Sequence, residues 1–446
     1  MRARVMPGIV VLAALSLPAV AQEEPTREVT GTLERDPWRI DGYRLEPNGL
    51  ERVLERAAEA EASLRVVLRP LPEEGLPLLN RVRRQPRPAR LVAVQGRVAA
   101  DTRVGERTLG ADTPVWITQA RREGGAELLR VRLGQEALTL DGRLVHVGEN
   151  ATGRALGEVL APVFGKTSEA RGARTFHPDA SVWRGEVVTL APPPPFTAAA
   201  ARLEGDAIVR MGPGLWKHRQ MDWAPDLLSL AIRFKARGAP LGVEVAAGDQ
   251  DLFVSTNAER FSDFMNPLLP IVAPEHDYFR DNYYAAQPFL LEGTGKRVWV
   301  RVVPVGFRPE QRPSGQDERE AKLAAAVEAG QARFRIEVQE QAGAVARFLG
   351  VDRDATSGLR LENPVRGWFA NAWVPLAELR LSAPLGIDQE TLRYHPNLAG
   401  RGLRPVGVVA SIRPAVYAAS QDARPGTAEE RARAEGTGIN EVLGSQ

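Results

Sequence analysis

From about Arg27 to Gly148, apolar and polar positions alternate in short runs broken by turn residues, as in "REVTGTLERD", "LRVVLRPL", "TPVWITQA" and "ELLRVRL". A period of two predicts strands with one buried face. One stretch departs from it: "GLERVLERAAEAEA" puts Leu50, Val53, Leu54 and Ala57 on one face of a helix. "VTGTLERDPWRIDGYRL" and "VAVQGRVAADTRVGERTL" form a faint repeat, suggesting two similar β-units and admitting a small barrel of the oligonucleotide/oligosaccharide-binding type. No aromatic platform or basic stripe supplies such a barrel with a ligand. Residues 27–150 are therefore expected to form a β-rich accessory domain of unassigned role.

The same alternation returns downstream. "LLSLAIRFKA", "LGVEVAA", "QDLFVST", "KRVWVRVVPV" and "ARFRIEVQEQ" read as strands, and "DEREAKLAAAVEAG" reads as a helix. Residues 151–168 are expected to be a linker, 169–425 a second domain, and 426–446 a polar tail. Within the second domain, four successive prolines in "LAPPPPFTAAAARLEG" favour an extended connection, because proline cannot sit inside a helix or a central strand. Many strands with few helices make an α+β chain.

"MRARVMPGIVVLAALSLPAVAQ" has two arginines, an apolar run too short to span a bilayer, and the small-residue site Ala19-Val20-Ala21. This predicts a cleavable signal peptide over 1–21 and an exported, periplasmic or secreted protein starting near Gln22. Without Arg2 and Arg4, 56 basic residues face 56 acidic ones, so charge points to no nucleic-acid or membrane partner. No later segment is long and apolar enough for a transmembrane span. The absence of cysteine excludes disulfides, thiolate metal sites and cysteine nucleophiles.

The five histidines, His146, His177, His218, His276 and His395, form no closely spaced pair of the kind that holds zinc. Nucleophile-elbow, Walker A and dinucleotide fingerprints are absent as well. "RPAVYAASQDAR" is more informative. On a helix Arg413, Tyr417 and Arg424 share one face, a cationic stripe with a phenol in its middle. Such a stripe is either a solvated face or the receptor of an anion that favours a phenolate.

"RTFH" (Arg174, His177), "IVRMGPG" (Arg210), "DLFVSTNAERFSDF", "YYAAQPFLLEGTGKRVWVRVVPV", "ENPVRGW" and "YHPNLAGRGLRPVGVVASIRPAVYAAS" follow one another in this order. Over about Arg174 to Arg424 this order resembles the haem-dependent catalase family, in particular its short, peroxidase-like relatives. The resemblance implies an antiparallel β-barrel with peripheral helices, a haem b cofactor, and Tyr417 as axial ligand of the iron. It further implies that Arg413 favours the phenolate and that Arg174, Arg210 and Arg424 bind the propionates. His177 would be the distal acid/base group and Phe261 a ring on the distal face of the porphyrin. The distal polar helper falls among Ser255, Thr256 and Asn257, with Asn257 favoured.

The chain departs from the family pattern where the distal histidine is held. Pro178-Asp179-Ala180 replaces Ala-Lys-Gly, Gly212 stands where the family has a serine, and His395-Pro396-Asn397 replaces Asn-Pro-Trp. Pro414 is read as a first-turn proline of the ligand helix. The implied activity is reduction of hydrogen peroxide or an organic hydroperoxide with an unidentified electron donor. Rearrangement of fatty-acid hydroperoxides and a haem-binding scaffold without turnover are the alternatives. Oligomeric state is not legible from the sequence.

Overall fold

In the computed structural model, residues 25–59, 62–72, 85–175, 177–214, 227–256, 277–306, 313, 315–341 and 372–423 are described. The first sheet is built from β1 (Arg27–Thr32), β2 (Arg39–Ile40), β3 (Tyr43–Glu46), β4 (Ser63–Pro70), β5 (Arg87–Val98), β8 (Pro114–Glu123), β9 (Ala126–Leu133), β10 (Glu136–Asp141) and β11 (Val145–Val147). A separate small hairpin pairs β6 (Thr102–Val104) with β7 (Arg107–Leu109). The long β5 is shared along its length. Its first half pairs with β3 and β4, and its second half with β8 and β11. The main path runs β1-β4-β5-β8-β9-β10, and no pairing joins its ends among the described residues. In this sheet, closure into the small barrel admitted by the sequence is not seen among the described residues. Helix α1 (Glu51–Glu59) closes its core with Val53, Leu54 and Ala57, as its spacing predicts.

The second sheet comprises β12 (Ser181–Thr189), β13 (Gly205–Pro213), β14 (Leu228–Lys235), β15 (Gln250–Ser255), β16 (Tyr283–Tyr284), β17 (Phe289–Leu291), β18 (Lys296–Val305), β19 (Arg333–Glu340), β20 (Trp373–Pro384) and β21 (Leu403–Pro405). Its order β16-β15-β14-β13-β12-β20-β19-β18, with β18 also paired to β16, closes an eight-stranded antiparallel barrel. The fold is α+β, as expected. Closure leaves no unpaired edge within the ring. The barrel interior takes alternate residues such as Val209, Met211, Leu230, Ile232, Leu252, Val254, Val300 and Ile336. Helices α3 (Thr197–Leu203) and α4 (Gln316–Glu328) pack against this core through Ala199, Ala200, Leu203, Leu323 and Ala326.

Three sequence expectations are corrected. Residues 241–247, read as a strand, form none. Instead the carbonyls of Val243 and Glu244 accept hydrogen bonds at 3.2 Å from the buried cations Arg233 and Lys235. Residues 151–168, expected as a linker, lie in helix α2 (Ala151–Arg171), capped by the Asn150 side chain on Gly153 N at 2.9 Å. Pro414 is not in a first turn, because helix α5 starts at Val408 and runs to Asp422.

Helices α2 and α5 lie against each other at close range. A Cβ on Gly153 would stand 2.4 Å from the Val408 carbonyl oxygen, and one on Gly157 would stand 2.7 Å from that of Ile412. Only glycine allows this approach. The Ser411 hydroxyl accepts from Asn150 N at 2.9 Å and ties the two helix starts together. The first sheet reaches the same place: Arg154 of α2 pairs with Asp112 at 2.6 Å, and Arg393 pairs with Asp101 at 3.2 Å.

Candidate functional site

The outer faces of β13, β14 and β15 carry the residues that do not fill the barrel. Register sets them in rows: Ile208, Arg233 and Asp251; Arg210, Ala231 and Phe253; Gly212, Ser229 and Ser255. Strand alternation alone therefore puts two arginines, two serines and an aromatic ring on one wall. Every residue of β13 and β14 is nonetheless buried, because the segment 385–398 and helix α5 cover that wall.

The cover is fastened by charge. Arg233 and Asp251, both fully buried, make a two-bond pair with Nε to Oδ1 at 2.9 Å and Nη2 to Oδ2 at 2.8 Å. Asp251 Oδ2 also accepts His395 N at 2.7 Å, and Arg233 donates to the Arg393 carbonyl. Tyr394 is held between them, its hydroxyl on the Ile208 carbonyl at 3.1 Å. His395 is 1% exposed. Burial, reinforced by the charge of Arg233, pushes its pKa down to about 4.

Between wall and cover lies a cavity of about 270 Å³. Arg174 and His177 reach it from the loop before β12, Arg210 from β13, and Arg413 and Tyr417 from α5. Phe253, Tyr284, Tyr394, Val416 and Ser255 complete much of its lining. Five side chains from three distant stretches, proposed from the sequence alone, thus converge. Asn257, Phe261 and Arg424 lie outside the described residues. Of the three candidate polar helpers, Ser255 lines the cavity, whereas the Thr256 hydroxyl accepts from Leu228 N at 3.1 Å.

Around Tyr417 the geometry is specific. Arg413 Nη2 lies 3.4 Å from the Tyr417 hydroxyl, and its Nη1 donates to Gln287 Oε1 at 2.7 Å. Phe253 packs edge-on against the Tyr417 ring at 5.3 Å between centroids and under the Arg413 guanidinium at 5.1 Å. The phenol is oriented by a ring and accompanied by a cation whose second arm is anchored.

His177 is held by its backbone, with a left-handed φ of 57° and its N–H on the Gly214 carbonyl at 2.6 Å. Burial first, then the charge of Arg210, lowers its pKa to about 3, against the opposing pull of the Pro213 backbone. The imidazole is therefore neutral at pH 7. Gly212 is required at its place, since a Cβ there would stand 2.1 Å from the Asp179 carbonyl oxygen. That carbonyl belongs to the Pro178-Asp179-Ala180 segment, so the two stretches are coupled.

Arg174 and Arg210 converge on a residue that the sequence reading missed. Gln389 Oε1 accepts from Arg174 Nη1 at 3.0 Å and from Arg210 Nε at 3.1 Å, with a further bond from Arg210 Nη2. Arg210 also donates to the His177 carbonyl at 2.5 Å. Burial and the neighbouring Arg210 charge lower the pKa of Arg174 to about 9. Gln389, Phe253, Tyr394 and Gln287 carry no local signal of their roles; only the barrel rows of Phe253 could be anticipated, from strand alternation.

Among the described residues no cluster of three or more His, Asp or Glu suits a bare metal ion, and no helix is long and apolar enough to cross a membrane. No family model and no curated protein matches the chain. A fungal catalase crystal structure at 1.9 Å is similar over 59% of this chain, with 12% identity and a TM-score of 0.38. The match spans 61% of that catalase's length. The chemistry of the cavity rests on its own side-chain geometry and not on this overlap.

Proposed function

We propose that the cavity binds haem and that the chain is a haem-dependent oxidoreductase acting on hydrogen peroxide or an organic hydroperoxide. The observation that carries this reading is the 3.4 Å contact between Arg413 and the Tyr417 hydroxyl in a cavity that the neutral His177 also lines. The donor set fits the group. A phenol beside a cation would suit a ligand to haem iron that binds as phenolate. Phe253, Ala231, Phe164 and Val416 give apolar walls for a macrocycle, and Arg174 and Arg210 suit its carboxylates.

When bound, haem supplies an iron centre that takes up the redox chemistry of O–O cleavage. The residues of this chain handle protons. His177, neutral at pH 7, would be the group to take a proton from one peroxide oxygen and return it to the other, which would leave as water or alcohol. The two electrons consumed come from a second peroxide or a separate reductant. Ser255, which lines the same cavity as His177, is a polar group able to orient the substrate.

Titration of the purified chain with haemin, followed by its absorption spectrum, tests the reading. A saturable site of one haemin per chain, with the charge-transfer bands of a ferric phenolate, supports it. A spectrum that remains that of free haemin overturns it.

A further inference from the structure

Arg65, Trp116, Arg130 and Arg132 are scattered in sequence over β4, β8 and β9, and folding brings them together. Alternation sends Val66, Val94, Ile117 and Val131 into the core of the first sheet, so the residues next to them form a row on the opposite face. Register sets Thr30 beside Arg65, Gln95 beside Trp116, and Trp116 beside Arg132, while Arg65 meets Gln95 one step past the pair of Val66 with Val94. Arg130 stands two residues from Arg132 on the same side. All three arginines are exposed. The Arg65 guanidinium lies 5.9 Å from the centre of the Trp116 ring, a cation attracted by the electron-rich face of the indole.

Arg65 is paired with Glu28, whereas Arg130 and Arg132 make no ion pair among the described residues. The row runs into a cavity of about 260 Å³ between this sheet and α2, lined in part by Thr30, Ser63, Arg65 and Gln95. Two further arginines of its lining are answered there, Arg97 by Glu149 at 2.5 Å and Arg154 by Glu158 at 2.8 Å. The cavity therefore offers hydroxyls and an amide, and the row beside it offers an indole and uncompensated cation.

We propose that this face of the first sheet binds an acidic polysaccharide. The hydroxyls of one sugar unit bond to Thr30, Ser63 and Gln95, side chains that both donate and accept as hydroxyls do. The apolar face of a sugar ring lies against the Trp116 indole, and uronate carboxylates pair with Arg132 and Arg130, whose planar forks match them. Length favours a polymer over a single sugar: β4 and β9 are three strand spacings apart, about 14 Å. Nucleic acid also brings rings and negative charge, but a chain with 58 basic and 56 acidic residues has little net field to draw a phosphate backbone. The proposal is independent of the haem reading and gives the first sheet a role of its own.

Polygalacturonate, its methyl ester and oligothymidylate are to be titrated into the full chain by calorimetry at low salt. Polygalacturonate should bind and should weaken as salt is added; the ester, which lacks the carboxylates, should not bind. Arg130→Gln combined with Arg132→Gln should weaken polygalacturonate about two- to thirtyfold, the range for two exposed ion pairs, with the melting temperature unchanged. Arg121→Gln removes an exposed arginine that Glu123 already answers at 3.3 Å, and should leave binding as it is, which separates the row from net charge. Haemin titration should be the same in every variant, because none of these residues lines the cavity of Tyr417. No binding of polygalacturonate by wild type, equal binding by the double variant, equal binding of the ester, or tighter binding of oligothymidylate would each overturn the proposal.

Discussion

The approach of α2 to α5 can be tested with two glycines that differ in one respect. Gly157 and Gly165 both lie in the interior of α2, so alanine at either gains about 0.8–1 kcal/mol of helix propensity. At Gly165 the new Cβ would stand 3.5 Å from the Ala419 carbonyl oxygen, an ordinary contact. At Gly157 it would stand 2.7 Å from the Ile412 carbonyl oxygen and 3.0 Å from Ile412 Cα. Both of those atoms are backbone and cannot turn aside, so the helices must part, at a cost of about 1–3 kcal/mol. The propensity gain cancels in the comparison. Gly157→Ala should therefore be less stable than Gly165→Ala by about 1–3 kcal/mol, with Gly165→Ala above wild type. Urea unfolding followed by tryptophan fluorescence measures this, with separate transitions fitted if the first sheet and the barrel unfold apart. Because Ile412 adjoins Arg413, Gly157→Ala should also weaken haemin binding, and Gly165→Ala should not. Equal midpoints for the two variants would refute the close packing of α2 on α5.

Four further outcomes are expected. Tyr417→Phe should remove the ferric-phenolate bands from the haemin complex, measured by absorption spectroscopy; an unchanged spectrum would remove Tyr417 as ligand. Arg413→Met should weaken haemin retention by about 1.5–3 kcal/mol, the worth of a charge-assisted bond, read as the rate of haem transfer to an acceptor protein. His177→Ala should keep the spectrum but slow peroxide turnover about 10²–10⁴-fold. In wild type the same step should persist as pH falls until about 3, where the imidazole takes up a proton, and a rate lost already near 6.5 would contradict this. His395 binds its proton at about 4 when folded and at 6.5 when unfolded, so its contribution is full above 6.5 and is lost as pH falls toward 4. That limb, on the order of 3 kcal/mol, should flatten in His395→Gln, as measured by urea unfolding at each pH.

The strands of the barrel were legible because they alternate, which is a local property; their closure into a barrel was implied only by the resemblance. The five cavity residues were legible because the order and spacing of short segments around them resemble a known family. Helix α2 was not legible, for a physical reason. Gly153, Gly157, Gly165 and Pro162 lower its helix propensity, and two of those glycines are the seam on which α5 lies. Packing restored what propensity denied. Gln389 was invisible for another reason: a glutamine in a turn says nothing until two arginines from other parts of the chain are brought to its oxygen.

The pairing of α2 with α5 also sets an order in time. Nearly the whole barrel lies between the two helices in sequence, so α2 leaves the ribosome long before its partner exists. Through most of synthesis its glycine seam faces solvent or a chaperone. Ring closure must come first, because α5 docks against a wall that the barrel strands build. The pocket that gathers Tyr417 and His177 is then the last part of the molecule to mature, through a contact of long sequence separation and correspondingly slow formation. A ribosome stalled before Val408 would release a chain able to form much of its sheet structure with no cavity at all, and such incomplete intermediates are the species most exposed to aggregation.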